Sequence, residues 1–251
     1  MLVLAAGFAC ALLVRYAPGT MVDERELDRR LSEENIRELR SNKALSNSLW
    51  GNLRRYLTGD LGYSESNHAP IAALIADRAP ETLREIAIGL AGGWIFGLAL
   101  AIPKRGFSIL AGLLLSLPTA LIAYLCVMEG AKSYLVMIIV LTPRIYRFTR
   151  NLLNQSYTAL HVEMARARGV GETRILLSHV FPAISPQLLA LAAASASMAI
   201  GAAIPIEAIC DVPGMGKLAW NAAMARDLPL LVNLTMIVAV ATTAATAVSE
   251  L

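Results

Sequence analysis

The sequence predicts an all-α, polytopic membrane protein with about six transmembrane helices, on the basis of three observations. Hydrophobic residues make up 56% of the 251 residues and charged residues only 16%, whereas soluble domains carry about 25% charged residues. The mean hydropathy of the chain is +0.56. Apolar runs that approach the length of about 20 residues needed to cross a bilayer follow one another from residue 86 onward.

Each apolar run is interpreted as one transmembrane helix. The first run is short, so it is predicted to be a helix shortened on its N-terminal side; the alternative is a signal peptide, although no A-x-A cleavage site follows it. In the second run, three glycines are expected to let another helix approach closely, namely Gly92, Gly93 and Gly97. The six predicted spans are residues 1–16, 86–103, 107–128, 133–148, 183–206 and 228–248.

The distribution of basic residues predicts the orientation. Six arginines and two glutamates lie between residues 144 and 182, so this region is predicted to be cytoplasmic. Residues 23–85 hold 12 acidic and 10 basic side chains, and the whole segment 17–85 is predicted to be extracytoplasmic. It either packs on the spans or docks a partner. The same rule places residues 207–227 outside and both termini in the cytoplasm.

The small-residue composition of the fifth span leaves two interpretations open. Ala190–Ala203 reads "ALAAASASMAIGAA", and small side chains allow helices to pack closely. This stretch either packs within one subunit or contributes to a dimer interface or pathway.

The cytoplasmic loop 157–182 begins with a predicted helix. Leu160, Met164 and Ala167 recur at helical spacing. Gly169 follows at the position where a residue with positive φ ends a helix at little cost.

A second helix is predicted after this glycine. Gly171 is expected to allow a second reversal of the chain, and Glu172 to begin a helix, "ETRILLSHV", that stops at Pro182. The spacing alone is compatible with two interpretations. The segment is either a docking element for a soluble partner or an ordinary amphipathic loop on the membrane surface.

Three carboxylates surround the last predicted outside loop, namely Glu207, Asp211 and Asp227. A carboxylate at the end of an apolar run is costly to leave unpaired. Glu207 is therefore expected to pair with Lys217 or Arg226, or else to face a substrate pathway, and we consider all three acids as pathway candidates.

The sequence contains no motif for catalysis. The stretch "PGMGK" at 213–217 is not a phosphate-binding loop, because Asp211 replaces the first glycine and Leu218 follows the lysine. The three histidines are far apart in sequence, so no metal site is predicted. We expect no catalytic residue and no cofactor in this chain, a lipid environment, and no nucleic acid partner.

The segment Glu163-Met164-Ala165-x-x-x-Gly169, followed by Pro182, resembles the EAA motif of binding-protein-dependent ABC importer permeases. The chain is most similar to the dipeptide, oligopeptide and nickel branch of that family. The matching stretches are "RYAPGT" (15–20), "LSEENIRELR" (31–40), "GDLGYS" (59–64), "IADRAPETL" (75–83), "IEAICDVPGMGKL" (206–218) and "ARDLPLL" (225–231).

The resemblance implies a type I ABC importer permease fold, with a five-helix core over residues 86–251. It implies half of a translocation pathway for peptides or a related solute in a bacterial inner membrane. The implied partners are a second homologous permease, two cytoplasmic ATPase subunits that bind ATP-Mg, and an extracytoplasmic solute-binding protein. The implied ATPase-coupling residues are Glu163, Ala165, Ala167, Gly169, Val170, Gly171 and Pro182.

Two alternatives to the importer interpretation remain at the level of sequence. A stand-alone secondary transporter or channel would work without ATPase partners and would show inverted repeats, which we do not find. A degenerate, uncoupled permease is the other alternative, because the outside loop at 129–133 is short. An intramembrane enzyme lacks support, since no G-x-S-x-G or H-E-x-x-H motif occurs.

Overall fold

The computed structural model describes residues 61–102 and 107–248. This part of the chain is helical apart from short connections and an isolated bridge between Tyr63 and Pro70. The all-α prediction is therefore confirmed. The predicted first span, residues 1–16, and most of the 17–85 segment lie outside the described residues.

Nine α-helices and one π-helical turn occur in the described residues. They are α1 (Ile71–Ala101), α2 (Ser108–Ser116), α3 (Thr119–Met128), α4 (Ser133–Tyr157), α5 (Leu160–Ala167), α6 (Glu172–Ile175), the π turn Leu176–Val180, α7 (Phe181–Ile209), α8 (Met215–Met224) and α9 (Leu228–Val248).

Three described helices are long and apolar enough to cross a membrane. They are α1, the helix Glu172–Ile209 and the stretch Leu228–Ala247 of α9. A fourth span results if α2 and α3 are counted together, although the pair is bent by 102°. The predicted span at 107–128 is thus broken. The break falls at Pro118, whose ring disfavours helical conformation in the preceding residue.

The predicted fourth span, 133–148, corresponds to α4, which is long enough to cross a membrane but is not apolar enough to qualify as a candidate span. Its second half carries arginines that lower its hydropathy, at positions 144, 147 and 150. α4 is nevertheless rich in buried residues, among them Val136, Met137, Ile145 and Leu153.

The predicted second span also starts earlier than expected. α1 begins at Ile71 and includes Pro80, whereas the sequence placed the start at residue 86. The charged side chains between 77 and 85 fall in the predicted extracytoplasmic segment 17–85, but charge alone does not end a helix.

The described residues form two compact units. Residues 61–77 and 221–239 belong to the first unit, and residues 78–220 and 240–248 belong to the second. The second unit contains two clusters of buried apolar side chains. One cluster joins α3, α4 and α7 through residues such as Ile122, Met137, Leu141 and Ile206.

Glycines on α1 permit close contact with α4, as the sequence predicted. A Cβ atom on Gly97 would lie 2.7 Å from Cγ2 of Ile145, and one on Gly93 would lie 3.0 Å from Cβ of Leu141. A Cβ on Gly92 would lie 2.5 Å from Cδ1 of Ile138. These glycines therefore set the distance between the two helices.

Candidate functional site: the loop 157–182 and the buried carboxylates

The candidate coupling element begins with α5, whose helix was predicted from the sequence. Val162 and Ala165 are buried in the second core cluster. Glu163 and Ala167 are exposed on the opposite side. α5 is therefore anchored by one face and presents the other to its surroundings.

The exposed side of α5 is partly apolar. Leu160 and Met164 keep 69% and 54% of their surface exposed, and Leu177 nearby in sequence keeps 67%. A soluble surface would usually carry few large apolar side chains in this arrangement. Leu160, Met164 and Ala167, expected from their spacing to share a face, thus face away from the protein core.

Ala165 lies elsewhere than its implied role suggests. It is one of the implied ATPase-coupling residues, but only 6% of its surface is exposed. Its small side chain permits close packing within this chain instead, in the cluster that also holds Val162 and Ile175.

Gly169 ends α5 in a Schellman motif. Its φ is +79°, a conformation that L side chains rarely adopt. The Gly169 amide donates to the carbonyl of Arg166 at 3.0 Å, and the Val170 amide donates to that of Ala165 at 3.2 Å. This hydrogen-bond pair defines the motif, and it confirms the predicted helix end at Gly169.

An ion pair bridges the turn that follows. Nε of Arg166 donates to Oε1 of Glu172 at 2.9 Å, and Nη2 donates to Oε2 at 3.4 Å. The hydrogen bond and the charge of Glu172 raise the pKa of Arg166 above its usual value. Both side chains are exposed, so the pair fixes geometry more than it stabilises the fold.

Gly171 does not reverse the chain, contrary to the prediction. Its φ is −63° and its ψ is 147°, an extended conformation that any residue can adopt. Its carbonyl accepts from the Ile175 amide at 2.9 Å. Gly171 is the residue that precedes the next helix, and a Cβ there would meet no atom within 4 Å.

Pro182 does not stop a helix, which is a second correction. The chain is helical from Glu172 to Ile209, and Pro182 lies in the first turn of α7. The preceding π turn, Leu176–Val180, widens the helix just before the proline. Such a turn lets a helix continue past a residue that cannot donate its amide hydrogen.

Glu207 is fully buried, with 0% of its surface exposed. Its Oε2 accepts from the Gly216 amide at 2.6 Å and from the Lys217 amide at 3.4 Å. These amides lie in the first turn of α8, where a negative charge is favourable. A side chain on Gly214 would collide with this carboxylate.

The predicted pairing of Glu207 with the Lys217 side chain is therefore wrong. Nζ of Lys217 donates to Oδ1 of Asp211 at 2.6 Å. Asp211 is exposed and has a φ of +58°. The "PGMGK" stretch thus leads into the first turn of α8, and its Gly216 and Lys217 amides donate hydrogen bonds to the carboxylate of Glu207.

Asp227 belongs to the other unit and is 1% exposed. Its Oδ2 accepts from the Ser64 hydroxyl at 2.5 Å, from the Ser66 amide at 3.0 Å and from the Ser66 hydroxyl at 2.8 Å. Its Oδ1 accepts from the Leu230 amide at 3.1 Å. Burial alone would raise the pKa of Asp227, but these hydrogen bonds hold it below its usual value.

The three carboxylates proposed for the pathway therefore have different surroundings. Glu207 and Asp227 accept hydrogen bonds that organise helix starts, and Asp211 forms a surface ion pair. A third buried carboxylate, Glu85, was missed from the sequence. The charged stretch around it belongs to the predicted extracytoplasmic segment 17–85, and only its position in α1 reveals its burial.

Comparison with known proteins places this architecture in a family. Residues 89–251 match the family described as binding-protein-dependent transport system inner membrane component. Because the match covers more than half of the chain, the chain belongs to this family of ABC importer permeases. The resemblance that the EAA-like segment predicted is confirmed.

Individual relatives extend the similarity toward the N-terminal half. A putative peptide permease protein of Brucella ovis is 27% identical, over 74% of this chain and 70% of the relative. A glutathione transport system permease protein, GsiC, of Pectobacterium atrosepticum is 25% identical, over 85% and 79%. A putative peptide transport system permease protein of Brucella abortus is 26% identical, over 68% and 66%.

Proposed function

We propose that this chain forms half of the translocation pathway of a peptide importer in a bacterial inner membrane. The proposed assembly contains a second permease, two ATPase subunits that bind ATP-Mg, and an extracytoplasmic solute-binding protein. The chain itself carries no catalytic residue in this scheme. Membership in the permease family supports the scheme, and the names of the relatives support a peptide as the solute.

The observation that carries the coupling role is the path from α5 into the membrane. α5 exposes Glu163 and two large apolar side chains. The Gly169 turn joins it to the continuous helix Glu172–Ile209, 38 residues long, or about 57 Å at 1.5 Å per residue. A displacement of α5 would be transmitted through this turn to the long helix. A coupling element needs such a mechanical connection to the membrane-spanning part.

The coupling segment has buried side chains that anchor it and exposed side chains that are available to a partner. Val162, Ala165 and Ile175 are buried in one cluster, so α5 and the start of the long helix move as a packed body. Glu163, Ala167 and Gly171 remain on the surface, where an ATPase subunit would contact them. Val170 and Pro182 complete the proposed coupling segment by shaping the turn and the following helix.

Purification of the tagged full-length chain from its native host in mild detergent tests the assembly. We expect an ATPase subunit and a second permease to copurify, and the ATPase to be lost when Glu163 and Gly169 are both replaced. Recovery of the intact chain alone would contradict the proposal and favour a stand-alone transporter.

Gly169→Val tests the coupling role itself. A β-branched residue at a φ of +79° is strained, by about 1–2 kcal/mol, which distorts the turn without preventing membrane insertion. We expect substrate-stimulated ATPase activity and peptide uptake to fall. Gly112→Val is the matched control, because Gly112 lies in α2, outside the coupling segment, and has open space around it without a positive φ. Normal uptake by Gly169→Val would count against coupling through this turn.

A further inference from the structure

A cavity of about 340 Å³ lies within the second unit, far in sequence from the coupling segment. One wall is the early part of α1, another is the start of α4, and a third follows the end of α7. The charged and polar residues that line it are Glu81, Arg84, Glu85, Lys132, Ser133 and Cys210.

Glu85 is the deepest charged group in this cavity. Only 4% of its surface is exposed. Neither of its carboxylate oxygens has a hydrogen-bond partner among the described residues. The Ser133 side chain is a polar group that interacts with Glu85, but it offsets only part of the cost of burying this carboxylate. A buried carboxylate in a membrane helix without a partner is costly and marks a functional site.

The cations that line the cavity do not neutralise Glu85. Nη1 of Arg84 lies 3.9 Å from Oε2 of Glu81, and the Arg84 side chain is largely exposed. Nζ of Lys132 lies 6.0 Å from the centre of the Tyr134 ring. The carboxylates of Glu207 and Glu81 add like charge near Glu85. The electrostatic field at Glu85 therefore favours a cation from outside the chain.

The size and composition of the cavity favour an organic cation. A water molecule occupies about 30 Å³, so the cavity has room for a larger group. The described residues contain no cluster of three or more metal-ligating side chains. An ammonium group on an organic molecule suits a cavity of this size without a metal-ligand set, because it can donate three hydrogen bonds to carboxylate and hydroxyl oxygens.

We propose that this cavity binds the ammonium group of the transported solute, with Glu85 as its counter-ion. The identity of that solute as a peptide with a free amino terminus rests on the proposed function. Glu81 and Ser133 supply further oxygens at the cavity wall. The site lies at the Ser133 end of α4 and the coupling segment follows the Tyr157 end, about 36 Å apart along the helix.

Cys210 provides a native reporter for this proposal, because its free thiol belongs to the cavity lining. The full-length chain carries Cys10→Ser and Cys126→Ser and is assembled with its partners in membrane vesicles. Modification of Cys210 by the neutral reagent methyl methanethiosulfonate is timed with and without alanyl-alanine. N-acetyl-alanyl-alanine, which lacks the ammonium group, is the matched ligand.

We expect alanyl-alanine to slow the modification and the acetylated dipeptide not to do so. The modification rate should fall by a factor of one plus the ratio of the ligand concentration to Kd. This factor is about tenfold when the ligand concentration is roughly ten times Kd. Glu85→Gln should abolish this protection, whereas Glu129→Gln should keep it, because Glu129 is exposed and outside the cavity lining. Each variant is compared with its own unprotected rate, so altered thiol reactivity does not affect the ratio.

Equal protection by the two dipeptides, no protection in the parent chain, or undiminished protection in Glu85→Gln would each overturn the proposal. If Glu85→Gln fails to reach the membrane, the comparison of the two dipeptides in the parent chain still decides it. ATP-dependent uptake of alanyl-alanine is measured in the same vesicles. Uptake without ammonium-dependent protection refutes the site alone, and protection without uptake refutes the importer function alone.

Discussion

Asp227 is a buried carboxylate whose hydrogen bonds are accounted for, so it is a good residue on which to test structural roles. It joins the segment around Ser64 to the first turn of α9. It therefore acts as the N-cap of α9, a role that short acidic side chains fill well. This arrangement favours a structural role for Asp227 over the substrate contact considered from the sequence.

Asp227→Ala should lower the stability of the purified protein. The change removes the α9 cap, worth about 1 kcal/mol, and leaves the buried Ser64 hydroxyl without its acceptor, at a cost of about 1–3 kcal/mol. Thermal unfolding in detergent measures the effect. Asp211→Ala is the control, since its exposed pair with Lys217 is worth about 1 kcal/mol or less. Equal losses in the two variants would contradict the capping role.

The stabilisation that Asp227 provides has a pH dependence of defined sign. Because the pKa of Asp227 is lowered in the folded protein, its ionised form stabilises the fold above the usual carboxyl pKa of about 3.9. That stability is lost as the pH falls through the lowered pKa. Asp227→Asn should lack this acid-dependent component of unfolding, and an unchanged acid profile would argue against it.

Partner choice among side chains was the least predictable feature at this scale. The sequence offered Glu207, Asp211 and two cations close together, and pairing by proximity was a reasonable expectation. In the fold, the start of α8 lies next to Glu207, so backbone amides donate hydrogen bonds to the Glu207 carboxylate. The Lys217 side chain pairs with Asp211 instead. Such contacts depend on how a loop folds back, which side-chain spacing does not reveal.

At the scale of helices, the apolar pattern predicted which helices exist better than it predicted where each helix begins and ends. α5, α7 and α9 were expected close to where they occur, because their apolar residues and end signals agree. Two boundaries failed for local reasons. The start of α1 was predicted too late, because its first half contains charged residues. The helix was predicted to end at Pro182, but it continues past this proline through a π turn.

The contact between α1 and α4 gives a test of helix packing. Gly97→Leu should destabilise the protein, by about 1–3 kcal/mol as overpacking usually does, because its Cβ would meet Ile145 at 2.7 Å. Gly112→Leu is the control, since nothing lies within 4 Å of a Cβ there. Thermal unfolding of both variants in detergent is the measurement. A Gly97→Leu variant as stable as Gly112→Leu would show that the helices do not require this close approach.

At the scale of the whole molecule, family and fold class were predictable from the sequence, because motifs such as Glu163-x-x-x-x-x-Gly169 occur in order along an apolar chain. The cavity around Glu85 was not predictable in the same way. It needs α1, α4 and the end of α7 to meet, and these elements are separated by many residues. Long-range packing therefore supplies the information that the linear pattern lacks.

The orientation of the chain is the remaining prediction at this scale. α4 spans 25 residues, about 37 Å, which exceeds the hydrocarbon thickness of about 30 Å. The arginine-rich end of α4 precedes the coupling segment, so the distribution of basic residues predicts that this end lies in the cytoplasm. The turn at Glu129, before α4, is then predicted to face the outside.

Single cysteines at the two ends of this path test the orientation in a chain whose native cysteines are replaced by serine. Glu129→Cys should react with a membrane-impermeant maleimide added to intact spheroplasts, and Gly171→Cys should react only after the membrane is opened. Both positions are exposed in this chain, so when the chain is expressed without ATPase subunits a failure to react reports the side of the membrane and not burial. The opposite pattern would invert the topology, and labelling of both from outside would show that α4 does not cross the bilayer.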